Sequence, residues 1–214
     1  MRCISMNRQF RYHAMEDFLD ALASTSPTPG GGAAAGLLAA QACALAEKTC
    51  RLTVTNKAYA SVKEDAEKWA SLLSDARAIM LDLMDEDAAN FKALMDMYRR
   101  PAPSDEGGKL ARKEMIQRAL QKAAEAPMQI AQTMADMLDL FTKVLEKGNQ
   151  NLLTDSIIAL QCAMAAIRAS ILNVRINMKY VENEFVVREM DDTIRSWQDK
   201  MSAADAVLTY QVTL

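Results

Sequence analysis

Apolar side chains along this chain recur at three- and four-residue steps far more than at alternate positions. Trp69, Leu72, Leu73, Ala76, Ile79, Met80, Leu83, Met84, Ala88, Phe91, Leu94 and Met95 keep one face through many turns and predict a helix over about residues 58–99. Ile116, Ala119, Leu120, Ala123, Ile130, Met134, Met137, Phe141 and Leu145 mark a second long face over about 109–146. Pro127 falls inside that helix and is expected to kink it. Phe18, Leu19 and Leu22 give a short amphipathic helix over 14–23, and the Ala- and Gly-rich run after Gly32 gives another over about 33–54. A nearly all-apolar helix is predicted over 151–181. A last one over 184–204 places Val187, Met190, Ile194, Trp197 and Met201 along a packing seam. No segment alternates as a strand does, so the expected fold is all-α: a single domain over residues 1–214, a bundle of about five or six mostly long helices.

Between these elements lie the breakers. Pro27-Thr28-Pro29-Gly30-Gly31-Gly32 cannot be regular and leads directly into a helix, where its backbone N–H groups are placed to hold an anionic group. No Gly-Lys-Ser/Thr follows, so it is not a P-loop. Arg100-Pro101-Ala102-Pro103-Ser104 separates the 58–99 helix from the 109–146 helix, and Lys147-Gly148-Asn149 is a C-terminal stop.

Some polar residues fall where the pattern calls for apolar ones. Asp87 projects onto the face of Leu83, Met84, Phe91 and Leu94, whereas Asp85 and Glu86 project towards solvent. A buried carboxylate is costly unless satisfied, so Asp87 is either ion-paired to another helix or tuned by an apolar pocket. On the apolar helix 151–181, Asn151, Asp155, Asn173 and Asn177 share one narrow sector. Asp155 and Asn173 point the same way but stand roughly 27 Å apart at 1.5 Å per residue. A long ligand, a kink, or the same helix of a second subunit is needed to use both. The bland alternative is that the asparagines bond neighbouring backbone and Asp155 complements the helix dipole.

Composition then narrows the chemistry. Half of the 214 residues are hydrophobic and net charge is −3 with the charges interspersed, so no basic block for a nucleic-acid backbone is present. The longest apolar run, Gly31 to Ala46, is built of small residues and reads as a core helix, not a membrane span. Cys3, Cys43, Cys50 and Cys162 show neither disulfide nor metal spacing; with no signal-peptide pattern at the N-terminus, the expected setting is cytoplasmic. His13 is the sole histidine, so acid–base chemistry falls to carboxylates or lysine.

Five segments taken in order resemble the cyclodeaminase/cyclohydrolase family. Pro27-Thr28-Pro29-Gly30-Gly31-Gly32 is similar to its Pro-Thr-Pro-Gly-Gly-Gly turn, and Asp85-Glu86-Asp87-Ala88-Ala89-Asn90-Phe91 to its acidic segment before an Ala-Phe pair. Glu125-Ala126-Pro127-Met128 resembles its kinked helix, Gly148-Asn149-Gln150-Asn151-Leu152-Leu153-Thr154-Asp155 its Gly-Asn-x-Asn-x-x-Ser-Asp signature, and Asn173-Val174-Arg175-Ile176-Asn177 its Asn-Val-x-Ile-Asn signature. Ala33 stands where that family usually has Ser, Thr154 replaces Ser, and the family's Gly-Lys-Lys-Lys-Tyr is matched only at Lys57 and Tyr59.

The resemblance implies an enzyme handling the one-carbon bridge between N5 and N10 of tetrahydrofolate. Either water opens 5,10-methenyltetrahydrofolate to the 10-formyl form, or 5-formiminotetrahydrofolate cyclises with loss of ammonia. It implies a homodimer and no cofactor beyond the folate substrate, with neither nucleic acid nor membrane as partner. On this reading Asp87 and Asp155 are the catalytic candidates. Asn149, Asn151, Asn173 and Asn177 orient the pterin; Pro29, Gly30, Gly31, Gly32 and Lys57 face the glutamate tail. The alternative is a catalytically inactive folate-binding or helical interaction module of the same fold, favoured by Ala33 and the thinned lysines.

Overall fold

The computed structural model describes residues 9–212, with side chains to 209. Among them six α-helices and three short 3-10 turns occur, and no strand. The helices are α1 (Met15–Ala23), α2 (Gly31–Thr55), α3 (Lys63–Arg99), α4 (Glu106–Lys147), α5 (Leu153–Met178) and α6 (Glu184–Val212). The turns cover Phe10–Tyr12, Lys57–Val62 and Gln150–Leu152. Cys3 lies outside the described residues. The expected 58–99 helix divides into a 3-10 turn and α3, because Tyr59 leaves helical φ/ψ. The α4 helix runs on through Pro127, and α6 continues past the expected end at 204.

Short connections make α2 to α5 successive antiparallel neighbours. Packing is heaviest between α2 and α3, α4 and α5, and α2 and α5; α6 lies against α4 and α5. Small residues let α2 approach closely: a Cβ on Gly36 would lie 3.0 Å from the Met84 Cβ and 3.1 Å from the Met80 carbonyl oxygen. Around α2 a continuous core forms from Leu73, Met80, Ile130, Met134, Phe141, Leu145, Leu160, Ile167, Ile194 and Trp197, all buried. Each such side chain stabilises the fold by about 1.5–3 kcal/mol relative to exposure. The seam expected on α6 is present, with Met190, Ile194, Trp197 and Met201 buried. The Trp197 indole N–H donates to Gln132 Oε1 at 3.0 Å.

The antiparallel order brings the start of α2 beside the end of α5. It likewise brings the end of α2 beside the start of α5. These two ends carry the polar residues that the sequence singled out.

Candidate active site

At the first end, Pro27, Thr28, Gly30, Gly31, Gly32, Asp87, Phe91, Ala123, Asn173, Ile176 and Asn177 line a cavity of about 150 Å³. Six candidates from the sequence therefore meet there: Gly30, Gly31 and Gly32 at the α2 N-terminus, Asp87 from α3, and the pair Asn173 and Asn177 from α5. Gly32 is required by contact: a Cβ there would sit 2.1 Å from Asp87 Oδ1 and 2.3 Å from its Cγ. Gly31 is under less constraint, its Cβ position lying 3.5 Å from Asn173 Oδ1. Burial pushes the Asp87 carboxyl up to about 6, and the Ala33 backbone N–H pulls part of the way back. A near-neutral carboxylate facing a helix N-terminus is equipped to exchange protons.

The two asparagines are half committed to the scaffold. Asn173 Nδ2 donates to the Ala169 carbonyl at 2.9 Å, one turn back on its own helix. Asn177 Nδ2 donates to the Ala123 carbonyl at 3.2 Å and ties α5 to α4. Both still line the cavity.

At the other end lie Lys57, Asn149, Asn151 and Asp155. Asp155 Oδ2 accepts from Lys48 Nζ at 2.6 Å. The Asn149 backbone N–H donates to Thr53 Oγ1 at 2.9 Å, and its side-chain oxygen accepts from the Asn151 N–H at 3.1 Å. The Tyr59 hydroxyl accepts the Gln150 backbone N–H at 2.8 Å. Lys57 opens the turn that follows α2. With α2 25 residues long, the glycine turn and Lys57 are separated by roughly 36 Å at 1.5 Å per residue. Within one chain, therefore, Lys57 does not face the glycine turn and Asp155 does not meet Asp87. Lys48, which the sequence did not single out, supplies a cation at this end.

The structure departs from the projection at Asp85. Its side chain is only 9% exposed, with Arg11 Nε at 3.7 Å, because the Phe10–Tyr12 turn folds over it. Arg11 also pairs with Asp82 and donates to the Ala78 carbonyl. Burial pushes the Asp85 carboxyl up, opposed by the backbone N–H groups of Phe10 and Arg11 and the Arg11 charge. Glu47 was missed too. It is buried in mid-α2, accepting from Arg51 of its own helix at 2.6 Å and from Arg77 of α3 at 3.1 Å. Arg51 at the i+4 position was the sequence signal available for it. Burial raises the thiols of Cys43 and Cys50 to about 12, as small buried hydrophobes require.

Against known proteins, a family model described as formiminotransferase-cyclodeaminase matches residues 14–196. The methenyltetrahydrofolate cyclohydrolase of Methylorubrum extorquens is 35% identical over 175 residues, 82% of this chain and 84% of that protein. The formimidoyltransferase-cyclodeaminase of Mus musculus is 24% identical over 166 residues, 78% of this chain but 30% of that longer protein. The crystal structure of a formiminotetrahydrofolate cyclodeaminase from Thermotoga maritima superposes with a TM-score of 0.84 at 29% identity, covering 94% of this chain and 96% of that one. With the family match spanning the glycine turn, Asp87 and the α5 asparagines alike, this chain belongs to the formiminotransferase-cyclodeaminase family.

Proposed function

We propose that this protein hydrolyses 5,10-methenyltetrahydrofolate to 10-formyltetrahydrofolate. The observation that carries the reading is Asp87, a carboxylate raised to about 6 inside a cavity walled by a helix N-terminus and two asparagines. At neutral pH it is largely ionised and more basic than an ordinary carboxylate, which suits a general base. Water adds to the cationic methenyl carbon while Asp87 takes one of its protons. The resulting tetrahedral carbon collapses, the bond to N5 breaks, and the one-carbon unit stays on N10 as formyl, with one proton released overall. Asn173 and Asn177 orient the pterin, and the N–H groups of the glycine turn meet the developing oxygen charge. No cofactor is invoked, and the free, buried thiols suit a reducing cytoplasm.

The glycine turn keeps its contact with Asp87 despite Ala33, because that contact is the Ala33 backbone N–H and not a side chain. This supports a working enzyme over an inactive relative. The relative at 35% identity is a cyclohydrolase; the structural neighbour is a cyclodeaminase, so ammonia loss from 5-formiminotetrahydrofolate is the second reading. Assaying both folates side by side decides between them. Turnover of the methenyl form alone supports the proposal; turnover of the formimino form alone overturns it.

We further propose a homodimer built on α5. By length and composition residues 150–178 are apolar enough to cross a membrane, yet half of their most apolar 18-residue window is buried in the bundle. Its outer stripe keeps Ile158 41%, Leu172 67% and Ile176 55% exposed. Ile158 and Leu172 lie equally far on either side of Ala165. An antiparallel copy crossing at that small residue sets Ile158 against the partner's Leu172, and Asp155 beside the partner's Arg175. Asp155 thereby reaches the mouth of the partner's cavity, where Ile176 lies. Arg168 and Arg175 on the outer side favour a protein partner over lipid.

A further inference from the structure

We propose that Phe91 is a specificity-determining residue, whose ring face reads the positive charge of the folded one-carbon bridge. This rests on the methenyl reading above and goes beyond it, since nothing so far gives Phe91 a role. Three observations meet at this side chain. It stands one helical turn after Asp87, on the same face of α3, and both line the cavity. Among the described residues it joins neither buried cluster nor the partly buried side chains packed on them, although Phe10, Phe18 and Phe141 do. An aromatic ring left out of the core and half-buried at a cavity wall is available to a ligand. Finally, Asp87 is the one charged residue among those lining the cavity, and no cation is there. A carboxylate and an aromatic face without a basic partner are complementary to a flat cation.

The methenyl bridge is such a cation: an amidinium delocalised over N5, the carbon and N10. The opened 10-formyl product is neutral there. An aromatic face attracts a cation within about 6 Å with about 0.5–2 kcal/mol, more as water is excluded. Phe91 therefore holds the substrate and loosens on the product, while Ile176, which also lines the cavity, supplies apolar contact without distinguishing the two.

The test compares Phe91→Leu, which keeps the bulk and removes the ring, with Phe91→Tyr, which keeps the ring. Stopped-flow absorbance of the methenyl chromophore gives its dissociation constant before turnover. Competition gives that of 5-formyltetrahydrofolate, which is uncharged at the same bridge. Phe91→Leu is expected to weaken methenyl binding about 2- to 30-fold and 5-formyl binding less than twofold, with Phe91→Tyr close to wild type for both. Equal weakening of the two ligands would make Phe91 a mere packing residue and overturn the proposal, as would no weakening of either. Wild-type protein that binds the methenyl compound without turning it over would overturn the hydrolytic reading alone, and the two dissociation constants would still judge Phe91.

Discussion

Gly32 and Asp87 are in contact so close that no side chain fits between them: a Cβ on Gly32 would lie 2.1 Å from Asp87 Oδ1. The displaced atoms would be the end of a short side chain and not backbone, so Gly32→Ala can fold by swinging the carboxylate away. Alanine is also the better helix former. The expected outcome is a melting temperature within a few degrees of wild type and turnover reduced about a hundredfold or more, the low end for losing a general base. Gly31→Ala, whose Cβ would make an ordinary contact at 3.5 Å with Asn173, is expected to retain most activity. Equal activity losses in the two variants would show that the glycines serve the turn alone.

Asp87→Asn separates function from stability through pH. The folded carboxyl titrates near 6 against an ordinary 3.8, so the native state binds the proton more tightly than the unfolded chain. Stability tied to this group is fully present below the unfolded value and is lost as pH rises through about 6, to an extent of about 3 kcal/mol at most. Asp87→Asn removes that loss. It is expected to melt higher than wild type at pH 8, with the gap closing as pH falls towards 4, while turnover drops about 10²–10⁴-fold. A variant that melts lower at pH 8 yet turns over normally would assign Asp87 to the scaffold.

The helices were legible because a buried face imposes its period on the sequence, and Asp87 was legible because it violates that period. Asp85 was misplaced because its cover comes from Phe10–Tyr12, a segment remote in sequence that no projection of α3 contains. Glu47 hid for the same reason: one of its two partners, Arg77, arrives from another helix. The residue types of the site were readable but their grouping was not. Lys57 and the glycine turn are neighbours in the motif order, yet the whole of α2 stands between them. Asp155 and Asn173, by contrast, were placed far apart as found, since one continuous helix carries both.

Gly148 shows a stop signal whose physical cause differs from the usual one. Its φ is −71°, so no left-handed backbone demands glycine. A Cβ would instead lie 2.4 Å from the Val144 carbonyl oxygen and 3.0 Å from Thr49 Cγ2. The oxygen is backbone and cannot turn aside, so the α4 terminus must shift against α2. Gly148→Ala is expected to destabilise by about 1–3 kcal/mol, which is roughly 2–12 °C in a domain of this size. Thermal melting checks it, and an unchanged midpoint would mean that the junction yields freely.

The proposed dimer makes the separation of Asp87 and Asp155 testable without a structure of the assembly. If each site takes Asp87 from one copy and Asp155 from the other, Asp87→Asn and Asp155→Asn homodimers each lack one carboxylate in both sites. A heterodimer of the two variants is different. One of its sites combines both substitutions, while the other combines both intact aspartates. Random exchange of equal amounts makes half the dimers mixed, with one intact site in two, so activity is expected to recover to about a quarter of wild type. Recovery should track subunit exchange and disappear if a charge such as Ala165→Glu blocks the crossing point on α5. Were all the chemistry to lie within one chain, no mixture could exceed the average of its two parents. Activity that stays at that average while native mass spectrometry shows the heterodimer formed would refute the shared site.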